Sequence, residues 1–172
     1  MAKFLFNPSV MTFSMVVPDI APSEGIQKIC GFTRGLSFHR VKYFPYWHIS
    51  NSIVLGCNRD TETSQVRLFM YAYVDGKLID PKTCVLGLFD VGKKIYIRLY
   101  WTTSVCMVAI FDDLKTASTH INSKHRFNKT LPVGWLLHNY AEIDNTNNKT
   151  PFHCPVEDLR VNGRKIKWYE KE

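Results

Sequence analysis

The chain has 172 residues and a formal net charge of +7, a length that suits one domain burying most of the surface its unfolded chain exposes. Hydrophobic residues at 45% and aromatics at 13% exclude a mainly disordered chain, and no apolar run approaches the ~20 residues of a membrane helix. The start, MAKFLFNPSV, puts a lysine before apolar residues, but Asn7, Pro8 and Ser9 interrupt them and no small-residue cleavage site follows. No signal peptide is read, and folding in a cytoplasm is expected.

In chain order, Phe4–Phe6 and Val10–Val17 read as short strands, the second alternating Met11, Phe13, Met15 and Val17 against Val10, Thr12, Ser14 and Val16. Pro18, Pro22, Ser23 and Gly25 form a connecting loop, and Ile26–Phe32 is a strand. From Gly35 the pattern predicts a strand, an irregular aromatic loop around Pro45, and a strand from Trp47 to Leu55. Cys57–Ser64 reads as a polar turn.

The stretch Gln65–Asp80 carries the strongest pattern. Val66, Leu68, Met70, Ala72 and Val74 share one face, and Arg67, Phe69, Tyr71 and Tyr73 the other. That period of two is a strand with an aliphatic face and an aromatic, basic face. Asp75-Gly76 tolerates positive φ at both centres of a tight turn, with Lys77–Ile79 as the return strand. A sandwich must bury one face of each sheet, so the face of residues 69, 71 and 73 reads as core, with a binding surface as its alternative.

Thr83–Phe89, Lys94–Trp101 and Val105–Phe111 follow as strands. Asp113–Lys129 is polar and aperiodic, with at most a short helix around Leu114–Thr119. Gly134–Tyr140 and Asp158–Val161 complete the sheet, and Asn162-Gly163 turns the chain into a last strand, Arg164–Tyr169. Ten to twelve strands at short intervals predict an all-β fold, a two-sheet antiparallel sandwich over residues 1–172. Within it, 1–25 is an N-terminal strand and loop, and 156–169 a C-terminal hairpin.

Cys30, Cys57, Cys84, Cys106 and Cys154 are odd in number, scattered, and mostly set among apolar neighbours. Buried reduced thiols fit better than a disulfide framework, and no C-x-x-C pair supports zinc. Basic residues cluster at Arg34, Arg40 and Lys42; at Lys93, Lys94 and Arg98; at Lys124, Arg126 and Lys129; and at Arg160, Arg164, Lys165 and Lys167. Such surfaces suit nucleic acid, an anionic glycan or an acidic protein, or are solvated faces. No RNP, helix-turn-helix or finger pattern is present, so nucleic acid is not an expected partner.

The segments GFTRGLSFHR, NSIVLGCN, VRLFMYAYVDGKLI, KKIYIRLYW and VGWLLHNYAEIDNTNNKTPFHCPVEDLRV in this order resemble a family of uncharacterised proteins of gut anaerobes and their tailed bacteriophages. The resemblance covers residues 26–161 and implies a concanavalin-like jelly roll, similar in fold to lectins and some polysaccharide-active enzymes. The chain departs from the family at Tyr140-Ala141-Glu142-Ile143, where Tyr-Phe-Gly-Gly is usual. With no signal peptide read, the resemblance favours the phage-borne branch and implies a virion surface or capsid decoration protein.

Enzymatic readings meet specific gaps. Glu142-Ile143-Asp144 resembles the start of a jelly-roll glycosidase motif, but Asn145, Thr146 and Asn147 follow, so the second carboxyl that this chemistry needs is missing. A polysaccharide lyase needs a carboxylate neutraliser and a Tyr or His base, which His39, Arg40, Tyr43 and His48 supply in kind but without a Gln-x-His signature. Asp112-Asp113 and the loop 144–148 offer oxygen ligands without a calcium-loop spacing.

The expectation is therefore a non-catalytic binding or structural protein without cofactor or metal. Its partners are other virion proteins, capsid or tail, or a surface glycan, and oligomer formation is left open. A carbohydrate-binding module is the alternative, and a lyase or glycosidase comes third. The candidate binding residues are His39, Tyr43, Tyr46 and Trp47 around the aromatic loop, and Arg67, Tyr71 and Tyr73 on the central strand.

Overall fold

A computed structural model describes residues 4–5, 9–22, 25–33, 52–74, 77–102, 105–112, 120–126, 135–138 and 154–166. Its strands are β1 (Phe4–Leu5), β2 (Ser9–Val16), β3 (Gln27–Thr33), β4 (Ser52–Arg59), β5 (Val66–Val74), β6 (Lys77–Leu78) and β7 (Val85–Phe89). They continue as β8 (Lys94–Trp101), β9 (Val105–Phe111), β10 (His120–Arg126), β11 (Trp135–His138), β12 (Val156–Val161) and β13 (Arg164–Lys165).

They form two antiparallel sheets. The first runs β1-β11-β3-β4-β5, with the far side of β5 shared between β6 at one end and β7 at the other. The second runs β10-β9-β8-β2-β12-β13. The fold is a concanavalin-like jelly-roll sandwich.

Alternation makes the core. From the second sheet, Met11, Phe13 and Met15 of β2, Ile95, Ile97, Leu99 and Trp101 of β8, and Cys106, Val108 and Ile110 of β9 are buried together. They meet Ile53, Leu55 and Cys57 of β4 and Val66, Leu68, Met70 and Ala72 of β5 from the first. Phe32 and Trp101 join the sheets edge to face, centroids 6.3 Å apart at 71°, a geometry that suits the ring quadrupoles. The cysteines are free, four buried and Cys154 half-buried, and burial pushes the thiols of Cys30 and Cys154 up to about 12.

β3 shifts register against β4 between Lys28 and Gly31, and β12 shifts against β2 between Glu157 and Arg160, with Asp158 at φ 48° inside the shift. The turn at Asn162 (φ 49°) and Gly163 (φ 77°) takes the positive φ pair its sequence predicts. Asn162 Oδ1 accepts from the Val10 amide at 2.7 Å and the Asn162 amide donates to the Val10 carbonyl at 2.8 Å, tying that hairpin to β2.

Several expectations need correction. Cys57–Arg59 belong to β4, not to a turn, because Asn58 and Arg59 pair with Arg67 and Val66. Pro81–Cys84 is a 3-10 turn, capped by Asp80 Oδ1 accepting from the Lys82 amide at 3.0 Å, so the strand read from Thr83 starts at Val85. His120–Arg126, read as aperiodic, is a strand in register with all of β9. The readings at 34–51, at 113–119 and at 167–169 lie outside the described residues, as do Asp75 and Gly76.

Candidate functional site

β5 turns its aliphatic face inward, so its other face is the outer surface of the first sheet. The expectation that residues 69, 71 and 73 make half of the inter-sheet core is thereby corrected. Val66, Leu68, Met70 and Ala72 are fully buried between the sheets. Phe69 is buried on the outer side, its ring lying over Gly56, the residue opposite it on β4. Arg67, Tyr71 and Tyr73 are partly exposed there. The structure thus brings three of the candidate residues onto one face; His39, Tyr43, Tyr46 and Trp47 lie outside the described residues, as do Arg40 and His48.

The face is organised around two tyrosines. Tyr71 and Tyr73, two apart on one strand, meet edge to face with centroids 5.9 Å apart. The Lys28 ammonium sits 4.7 Å from the Tyr71 ring centroid, a cation–π contact. Register adds three leucine and valine side chains: Leu78 opposite Tyr73, Val85 opposite Phe69, and Leu88 opposite Arg67. They are 44%, 41% and 40% exposed, large enough fractions to leave an apolar rim on the surface. Sequence reasoning missed Lys28 and these three. The bulge in β3 breaks the alternation that would place Lys28, and β6 and β7 are too short to show which face is outer.

Arg67 is not a free cation. It forms an ion pair with Asp60, which the β4–β5 turn buries to 5% exposure. Asp60 Oδ2 also accepts from the Thr63 hydroxyl at 2.7 Å and from the Thr63 amide at 3.0 Å. Those bonds, the hydroxyl's first and then the amide's and the Arg67 charge, hold the Asp60 carboxyl below the usual carboxylate range. A carboxyl so lowered stabilises the fold fully above its unfolded pKa of about 4, and the contribution disappears as pH falls through the folded value. Asp60→Asn is therefore expected to lower the thermal midpoint at pH 7, and the gap from wild type to close on acidification. Thermal unfolding at several pH values checks this; a gap that stays constant into acid would refute it.

The arrangement offers aromatic and apolar side chains with Arg67 ion-paired and Lys28 set over a ring, which suits contact with another surface. Among the described residues no group of three His, Cys, Asp or Glu is placed to hold a metal ion. Asp112, one of the oxygen-ligand candidates, is ion-paired with Lys93 at 3.0 Å.

No protein-family model matches the chain, and no curated protein matches it in sequence. Solved structures do. The enzymatically active domain of tailspike protein 2 from bacteriophage CBA120 aligns over 90% of the chain at TM-score 0.50 and 14% identity, covering 22% of that domain. The full-length tailspike protein 2 from a bacteriophage of Escherichia coli O157:H7 aligns over 90% at TM-score 0.51 and 14% identity, covering 19% of it. The chain thus spans about a fifth of the tailspike's length. The LG1-3 region of the laminin alpha2 chain aligns over 94% at TM-score 0.46 and 8% identity, covering 28% of it. The alginate lyase of Klebsiella pneumoniae aligns over 90% at TM-score 0.41 and 10% identity, covering 59% of it. At these identities the likeness is one of fold.

Proposed function

We propose that this chain is a non-catalytic binding protein of a bacteriophage virion, assembled in the host cytoplasm and docked on a capsid or tail protein through the outer face of its first sheet. The observation that carries the reading is the juxtaposition of Tyr71 and Tyr73 with the exposed Leu78, Val85 and Leu88. Protein interfaces are built on such aromatic and aliphatic anchors inside a polar rim. The ion-paired Arg67 and the ring-bound Lys28 leave little uncompensated charge to desolvate when a partner covers them. The fold shared with a phage tailspike and the resemblance to phage-borne jelly rolls support the same reading.

The test is quantitative mass spectrometry of purified particles and of soluble host fractions. Stoichiometric recovery in particles is expected for the wild-type chain. A Tyr73→Ser, Leu88→Asp double variant, altered only at the surface, is expected to remain folded and fall at least tenfold in particles, since truncating interface anchors costs ~2 kcal/mol or more. Recovery of the wild type only in soluble fractions would overturn the proposal.

A further inference from the structure

The second sheet has its own outer face, and its chemistry differs from that of the first. Its fully buried large hydrophobic residues point inward. The described residues with exposed large apolar side chains are Ile26, Leu78, Val85, Leu88 and Val91, and none of them belongs to a strand of this sheet. This face therefore lacks the exposed aliphatic rim of the first; its outward Tyr96, Tyr100, Met107 and Phe111 are half-buried.

Cations occupy it instead. β8 alternates Ile95, Ile97, Leu99 and Trp101 inward with Lys94, Tyr96, Arg98 and Tyr100 outward. Register sets Arg98 between two small residues, Thr12 on β2 and Ala109 on β9. Thr12 in turn lies opposite Arg160 of β12, and Arg160 opposite Lys165 of β13. One row across the strands thus reads Lys165, Arg160, Thr12, Arg98, Ala109. With strands ~4.8 Å apart, the two arginines stand roughly 10 Å from one another along it.

The row has a wall on either side over β8 and β9. Tyr96 pairs with Phe111, and Tyr100 with Met107, roughly 13 Å apart along the strand. The Arg98 guanidinium carbon lies 5.7 Å from the Phe111 ring centroid. Between these walls the row carries two small side chains, Thr12, half-buried, and Ala109, buried. Arg98 is exposed and has no carboxylate within ion-pair distance among the described residues. At the far end one carboxylate, Asp158, serves both Arg160 at 3.0 Å and Lys165 at 3.8 Å. Three cations against one anion leave the row positively charged.

We propose that this row binds an acidic polysaccharide laid across the strands, one carboxylate or sulfate group on Arg98, another on the Arg160–Lys165 cluster that shares the single Asp158, and a sugar ring against Tyr96 or Tyr100. Guanidinium forks match oxyanions and outlast competition from water better than ammonium groups do. A single-stranded nucleic acid fits less well, because it needs a stacking ring for each successive base and aromatic side chains flank the row only around Arg98, with none beside Thr12, Arg160 or Lys165 in register. The site is independent of the docking face on the first sheet.

The experiment is binding of the full chain to polygalacturonate, with neutral dextran and oligo(dT) as comparisons, at low and high salt. Binding to polygalacturonate, weakening with salt and absent for dextran, is expected. Arg98→Ala should weaken it about tenfold, the usual size of a lost charge-assisted bond, and Arg98→Lys less. Thr12→Trp, which puts bulk between Arg160 and Arg98 without touching a charge, should weaken it as well. The Tyr73→Ser, Leu88→Asp variant that tests virion docking, on the opposite face, should leave it unchanged. No binding to polygalacturonate, equal binding to dextran, tighter binding to oligo(dT), or an Arg98→Ala variant that binds like wild type would each overturn the proposal.

Discussion

Gly31→Ala is expected to destabilise the fold by ~3 kcal/mol or more, at the severe end of single substitutions. The reason is backbone, not side chain. A Cβ built on Gly31 would stand 2.0 Å from the Ile53 carbonyl oxygen and 2.6 Å from the Val54 Cα. Neither atom can swing aside. Relief requires β3 and β4 to part at the bulge between Lys28 and Gly31, and those strands carry Ile29, Phe32, Ile53 and Leu55 into the core. Gly25→Ala is the matched control: nothing lies within 4 Å of its Cβ, so its effect should stay within about 0.5 kcal/mol. Urea unfolding of the three proteins checks both statements. A Gly31→Ala midpoint close to wild type would mean that the strands do not approach as closely as this bulge requires.

The same bulge marks the boundary of what alternation makes legible. β2, β5, β8 and β9 have two neighbours each and one aliphatic face, and their period of two survives in the sequence. β10 does not look like a strand in HINSKHR, whose one aliphatic residue is Ile121. It is the edge of its sheet, held by register with β9 alone, and an edge strand needs less apolar content than a central one. The 3-10 turn at Pro81–Cys84 is hidden because the strand pattern that follows it reads back to Thr83, while the Asp80 cap and Pro81 that define it carry no period of their own.

The candidate site was legible in part for a related reason. The sequence separates Arg67, Tyr71 and Tyr73 from Val66, Leu68 and Met70, but either set is apolar enough to be buried. Packing decides between them: the aliphatic side chains are buried in one cluster with Met11, Ile97 and Val108 of the other sheet, and the tyrosines stay half-buried on the other side. Arg98 sat in a recognised basic cluster with Lys93 and Lys94, yet its relation to Arg160 spans 62 residues of chain and exists only through the register of β8, β2 and β12. Cross-strand neighbours of this kind cannot be read from spacing.

Trp101→Ala is expected to cost ~3–5 kcal/mol, the range for removing a fully buried large aromatic side chain. Trp101 heads the largest fully buried side chains, at 0% exposure. It sits at the end of β8, between Ser9 of β2 and Cys106 of β9 in register. Its ring contact with Phe32 spans the two sheets, so the cavity opens between layers that neighbouring side chains of one sheet cannot close alone. Trp101→Phe keeps a ring against Phe32 and should cost clearly less. Circular dichroism across a denaturant series is the suitable probe, since removing the indole alters fluorescence directly. If Trp101→Ala lost under 1 kcal/mol, the layers would have to collapse onto the vacated space, and the rigid spacing that holds Tyr96, Arg98 and Tyr100 on the opposite face of the same strand would be lost with it. A full-sized loss, with Trp101→Phe between it and wild type, would show that the inward side chain of β8 sets the platform on which its outward residues stand.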